Sequence, residues 1–120
     1  MKIIAALPAY NEEIAIGSIV LRARKHVEKV IVVDDGSSDA TSKVAELAGA
    51  EVVRHETNMG KGAALRDAFQ RAIELNADVL VILDADGQHN PDEIPRLVAP
   101  IQKGEADVVI GSRFLKGKHS

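Results

Sequence analysis

The chain contains no cysteine, which excludes disulfides and thiolate metal sites and suits a reducing compartment. No apolar run exceeds five residues, far short of the roughly 20 needed to span a bilayer. Basic residues are scattered, and a net charge of -3 offers no electrostatic footprint for nucleic acid. Linkers, internal repeats and low-complexity tracts are also missing. The opening "MKIIAALPAYNEE" meets a proline and two acids too early for a signal-peptide core. It reads as mature structure, and the expected location is cytoplasmic. What is present, 46% hydrophobic and 28% charged residues over 120 positions, fits one globular domain around one core.

Short β-branched runs recur at "KIIAAL", "KVIVVD", "EVVRH", "DVLVILD" and "DVVIGS". Their apolarity is continuous rather than alternating, the mark of strands buried on both faces of a parallel sheet. Helical periods lie between them. From Asn11 to Val27 the stripe is Ile16, Ile19, Val20, Ala23 and Val27, with Asn11 as the expected N-cap. Ser38 or Asp39 is the expected cap of a shorter helix carrying Val44, Leu47 and Ala48, ended by Gly49. A third helix over 62–75 carries Leu65, Ala68, Phe69, Ala72 and Ile73. A fourth over 92–103 buries Ile94, Leu97, Val98 and Ile101, with Pro95 tolerable only in its first turn. The expected fold class is α/β: an open, mostly parallel sheet of about five strands with helices on both faces. Residues 1–115 form the expected domain and 116–120 a flexible tail.

In such sheets ligands bind beyond the carboxyl ends of the strands. The segments there are "PAYNEE", "DDGSSD", "ETNMGKG", "DADGQHNP" and "SRFLKGK", and they hold nearly every candidate functional residue. The opposite strand ends carry Lys2, Lys29, Glu51 and Asp78, read as ordinary solvated charges. Asp84 and Asp86 sit two apart at a strand end, about 6.6 Å between Cα atoms and on one face, so their carboxylates can converge on one ion. Two hard oxygen ligands suit Mg²⁺ or Mn²⁺ held together with substrate phosphates, hence a nucleotide diphosphate. Gln88 offers a further neutral oxygen, while His89 reads as an exposed loop histidine. An aspartate-rich turn capping the next helix is the competing reading of "DADG". After the second strand, Asp35 is the favoured ligand-facing carboxylate, with Asp34 and Asp39 holding loop and cap. Lys61, between two glycines at a helix start, is placed for phosphate or base; the true phosphate-loop spacing is absent.

Taken together, "LPAYNE", "VVDDGSSD", "NMGKGAALRDAF", "LDADGQHNPDEIP" and "IGSRF" resemble the donor-binding half of a glycosyltransferase family 2 enzyme with the GT-A fold. Within that family the likeness is to the polyprenyl-phosphate (dolichyl-phosphate) mannose or glucose synthases. The resemblance implies a metal set of Asp84, Asp86 and Gln88, with Mg²⁺ or Mn²⁺ as cofactor. It implies a nucleotide pocket at Pro8, Tyr10, Glu12, Val33, Asp35 and Ala85, with Lys61 near the nucleotide. Arg113 matches a basic residue near the diphosphate or acceptor phosphate, and Lys116 and Lys118 are further candidates for an acceptor phosphate. The implied reaction is metal-dependent transfer of a sugar, with inversion, from a GDP- or UDP-sugar to a polyprenyl phosphate at a membrane surface. No general base is visible, which an already anionic phosphate acceptor does not require.

Family catalytic domains continue past the "GSR" segment into a region that builds the acceptor site. The expectation is therefore the donor-binding half, with apolar surface that invites self-association. A non-catalytic nucleotide-sugar-binding module is the alternative within this likeness. A phosphoacceptor receiver domain is the alternative outside it, disfavoured because receivers place an acidic pair after the first strand, where "PAYNE" stands here.

Overall fold

The computed structural model describes residues 1–85, 90–99 and 107–111. In strand β1 (Ile3–Ala9) the run Ile4, Ala5, Ala6, Leu7 is buried at every position. Successive strand side chains point to opposite faces, so both faces need cover. The same holds for β2 (Lys29–Asp34) and β4 (Val79–Leu83). These three form the middle of a five-stranded sheet in the order β3-β2-β1-β4-β5, with β3 (Glu51–Arg54) and β5 (Asp107–Gly111) at the edges. Every pairing is parallel, as the continuous apolar runs require.

Helices supply the cover. On one face lie α1 (Glu13–Ala23), α2 (Thr41–Leu47) and α4 (Ile94–Val98), which bring Ile16, Val20, Ala45 and Ile94 onto Leu7, Val30, Val32 and Val81. On the other face α3 (Lys61–Glu74) lays Ala64, Ala68 and Ala72 on Ile4, Ala6, Ile31 and Val33. Between β3 and β4 the chain crosses both β2 and β1, so the strand order reverses beside β1. Among the described residues no helix is long and apolar enough to cross a membrane.

The expected elements form, with local differences. The helix expected over 11–27 is α1, which ends at Ala23 and is followed by turns that lead into β2. Leu47 and Ile73, expected on buried stripes, are 79% and 75% exposed. The helix expected over 92–103 is a 3₁₀ turn at Pro91–Glu93 running into α4, with Asn90 capping it through Asp92 N–H at 3.0 Å. Pro95 sits in the first turn of α4, where its missing N–H costs no bond. Positions 100–103 and the tail at 116–120 lie outside the described residues.

At the amino ends of the strands the charges are paired rather than simply solvated. Lys29 Nζ lies 3.1 Å from Glu51, whose carboxylate also takes Arg71 of α3 at 2.5 Å. The Arg71 guanidinium holds the Glu51 carboxyl below its usual range. Asp78 accepts the Lys2 backbone N–H at 2.6 Å. Lys29, Glu51 and Arg71 thus form an ion-pair network at this edge.

Candidate functional site

Strands β1, β2 and β3 end level with one another: Ala9 pairs with Asp34 and Asp34 with Arg54. The backbone continues that ladder one step, Asp35 N–H to Ala9 C=O and His55 N–H to Asp34 C=O, both at 2.9 Å. Three loops therefore leave the sheet from one edge. They border an open cleft of about 330 Å³ over the seam between β1 and β4, where the strand order reverses. Such a reversal leaves a gap between diverging loops, and ligands of open α/β sheets bind there.

Two consecutive aspartates at the end of β2 have separate partners. Asp34 is fully buried. It accepts Ser37 N–H at 2.9 Å, the Ser42 hydroxyl, and the Arg54 guanidinium at 3.3 Å. Asp35 lines the cleft. Its Oδ1 accepts His55 Nδ1 at 2.8 Å and Met59 N–H at 2.7 Å, and its Oδ2 accepts Gly60 N–H at 2.9 Å. Burial by itself raises the Asp35 pKa, but the bonds from His55, Met59 and Gly60 outweigh it and leave the group below its ordinary value.

Gly36 makes this packing feasible. Its φ is +80°, and a Cβ there would stand 2.5 Å from the Thr57 carbonyl carbon. The 35–37 and 57–60 loops thus meet backbone to backbone.

The starts of α1 and α2 are laced to each other. Glu12 N–H donates to Thr41 Oγ1 at 2.8 Å, and Ala40 N–H donates to Glu13 Oε1 at 2.8 Å. Asn11 is not an N-cap: it sits at φ 53° and its side-chain oxygen accepts Ser38 N–H at 2.9 Å. Asp39, one of the two expected α2 caps, accepts Thr41 N–H at 2.9 Å, whereas Ser38 serves the Asn11 link. This lacing fixes Tyr10 and Glu12 at the cleft.

Of the residues expected at a nucleotide site, Pro8, Tyr10 and Glu12 border the cleft after β1, and Asp35, Lys61, Asp84 and Ala85 border it from the other loops. Val33 does not, being fully buried against the α3 face of the sheet. Asp86, Gln88, His89, Arg113, Lys116 and Lys118 lie outside the described residues. Lys61 Nζ stands 3.0 Å from Asp84 Oδ1 across the cleft. Asn58, Gly60 and Ala64 also border it and were not singled out, although "NMGKG" already marked that helix start.

The carboxylate of Asp84 fits a divalent ion in donor chemistry: it is a hard oxygen on the cleft wall that already holds a cationic ammonium. Among the described residues no group of three acidic or histidine side chains is placed to hold a metal ion, so the remainder of any ligand set must come from other positions or from a bound phosphate.

A parallel sheet with an open cleft at its strand-order reversal, walled by Asp35, Lys61 and Asp84, defines the ligand-binding type of open α/β domain. Comparison with known proteins names the family. The profile "Glycosyl transferase family 2" matches residues 5–120, and the chain belongs to that family. Among curated relatives, the UDP-N-acetylglucosamine–dolichyl-phosphate N-acetylglucosaminyltransferase of Methanococcus voltae is 37% identical over 93% of this chain and 52% of its own length. The undecaprenyl-phosphate mannosyltransferase of Micrococcus luteus is 38% identical over 98% of this chain and 50% of its own. The chain thus spans about half the length of these relatives. Among solved structures, glucosyl-3-phosphoglycerate synthase from Mycobacterium tuberculosis with Mn²⁺, UDP-glucose and phosphoglyceric acid superposes with a TM-score of 0.70. It is 34% identical over 87% of this chain and 40% of its own. The same enzyme has also been solved with Mg²⁺ and UDP.

Proposed function

We propose that this protein binds a nucleotide diphosphate sugar in the cleft between β1 and β4 and passes the sugar, with inversion, to a polyprenyl phosphate. The single observation that carries the reading is the convergence of Asp35, Lys61 and Asp84 on one cleft at the strand-order reversal. The relatives' names add lipid-phosphate acceptors, and the M. tuberculosis enzyme's complexes add a UDP-sugar donor with a divalent ion.

In this reading residues 1–115 are the donor-binding unit and 116–120 a tail, and work on a lipid acceptor puts the protein at the cytoplasmic surface of a membrane. Asp35 accepts a hydrogen bond from the base or ribose, and Pro8 and Tyr10 flank that end of the nucleotide. Lys61 turns its ammonium from Asp84 to a diphosphate oxygen. Asp84, with Asp86 and Gln88, would hold Mg²⁺ or Mn²⁺, and a bound ion of this kind neutralises charge that develops on a departing diphosphate. Arg113 binds the acceptor phosphate through charge-assisted bonds. That phosphate is anionic near neutral pH, so its oxygen attacks without a protein base.

Calorimetry with UDP and GDP, each with Mn²⁺ and with chelator, tests the site. The parent should bind one of them better with the ion. Asp84→Asn and Asp86→Ala should each lose that advantage, on the order of tenfold or more. An unchanged Mn²⁺ response in both variants would sink the metal assignment, and binding without turnover on any polyprenyl phosphate would leave a nucleotide-sugar-binding module.

A further inference from the structure

A buried polar group beside the cleft that the proposed chemistry leaves unused is His55. It follows β3, is 8% exposed, and has both ring nitrogens on carboxylates: Nδ1 on Asp35 Oδ1 at 2.8 Å and Nε2 on Asp67 Oδ2 of α3 at 2.5 Å. An ionised carboxylate only accepts, and a neutral imidazole has one N–H. Two carboxylates on one ring are therefore both satisfied when the ring carries both protons.

The consequence falls on Asp35. Its Oδ1 is filled by His55 and Met59, and its Oδ2 has one bond from Gly60. What remains for a ligand is the free lone pair of Oδ2. The imidazolium also balances the charge of the Asp35 carboxylate, which is itself buried.

We propose that His55, bridging Asp35 and Asp67 as an imidazolium, is a positioning residue for the nucleoside end of the donor: it fixes the rotamer and charge of Asp35 so that one oxygen faces the base or ribose. This rests on the nucleotide reading of the cleft and assigns a residue that acts through Asp35 without touching the ligand. The hydrogen bonds to Asp35 and Asp67 raise the His55 pKa against the opposing effect of burial. The ring's charged partners are Asp35 from the loop after β2 and Asp67 from α3. Nearby, Arg54 is turned to Asp34 and Lys61 to Asp84, and Glu56 is exposed.

The test compares UDP or GDP with methyl diphosphate, each with Mn²⁺, by calorimetry from mildly acidic to weakly alkaline pH, below the ionisation of the base. Methyl diphosphate is a monoester with the same phosphate ionisations as the nucleotide and carries the pH response of the ion and the phosphates, so the ratio of the two affinities isolates the nucleoside end. In the parent that ratio should fall as pH rises through the raised His55 pKa. His55→Asn keeps a donor near Nδ1 but no titrating ring, so its ratio should be flat over that range. His55→Leu should lose on the order of tenfold in nucleotide affinity and none in methyl diphosphate affinity. Asp67→Asn removes one of the anions that hold the proton, so the fall should begin at lower pH.

A parent-like alkaline fall in His55→Asn would overturn the proposal. So would equal losses for nucleotide and methyl diphosphate in His55→Leu, since that is the signature of general unfolding of the loop. Failure of the parent itself to bind either nucleotide would overturn the reading of the cleft, a separate result.

Discussion

Asp34 and Asp35 are neighbours with the same side chain, and the pleat of the strand end separates their tasks. One carboxylate is spent on Ser37, Ser42 and Arg54 inside the loop; the other reaches the cleft through a lattice of His55, Met59 and Gly60. Stability should follow pH accordingly. The folded Asp35 pKa lies below its ordinary 3.8, so its contribution is complete above that value and lost as pH falls through the depressed one. The folded His55 pKa lies above its ordinary 6.5, so its contribution is complete below that value and lost as pH rises through the raised one. Urea midpoints should therefore be highest between those limits, and His55→Asn should flatten the alkaline side and, by relaxing the Asp35 pKa toward its ordinary value, weaken the acid side as well. Gly36→Ala is expected to cost more than the ~1 kcal/mol of a strained positive φ, because its Cβ meets Thr57 backbone that cannot turn aside.

Helices α1 and α2 are laced together at their amino ends. Thr41→Val removes the oxygen that accepts Glu12 N–H and should cost about 1 kcal/mol in urea unfolding. The packing of α3 is set by small residues: Ala64, Ala68 and Ala72, spaced by four, let the helix sit close on the sheet. Ala68→Leu should accordingly destabilise by about 1–3 kcal/mol through overpacking. This is also where the sequence was hardest to read. The expected stripe of Leu65, Ala68, Phe69, Ala72 and Ile73 is wide, and periodicity cannot say where its edges fall. The structure buries Ala68 and Ala72, packs Leu65 and Phe69 partly against the core, adds Ala64 and leaves Ile73 exposed. The strands, by contrast, were legible because continuous β-branched runs have few other uses. The candidate site was legible in part, since Asp35, Lys61 and Asp84 follow strands or begin a helix. His55 was not, because its partners lie 20 and 12 residues away, and only the fold brings the three together.

For the whole molecule, a ligand that bridges β1, β2, α3 and β4 ties both sides of the sheet to each other. Nucleotide with Mn²⁺ at 100 times its Kd should add about 2.7 kcal/mol to unfolding, measured as a rise in Tm that Asp84→Asn, at the same ligand concentration, cuts to about half or less. The seam between β1 and β4 has a further consequence, in time rather than in energy. β2 pairs with β1 after one short helical crossover, whereas Asp78, at the start of β4, meets Lys2 across 76 positions. Contacts that close so long a loop form late in folding. The β1 to β3 unit should therefore assemble first, and the cleft should exist only after β4 docks. A ligand held there stabilises contacts absent from the transition state, so it should leave the refolding rate unchanged and slow unfolding. Stopped-flow refolding and unfolding with and without nucleotide would reveal this as movement of one chevron limb alone.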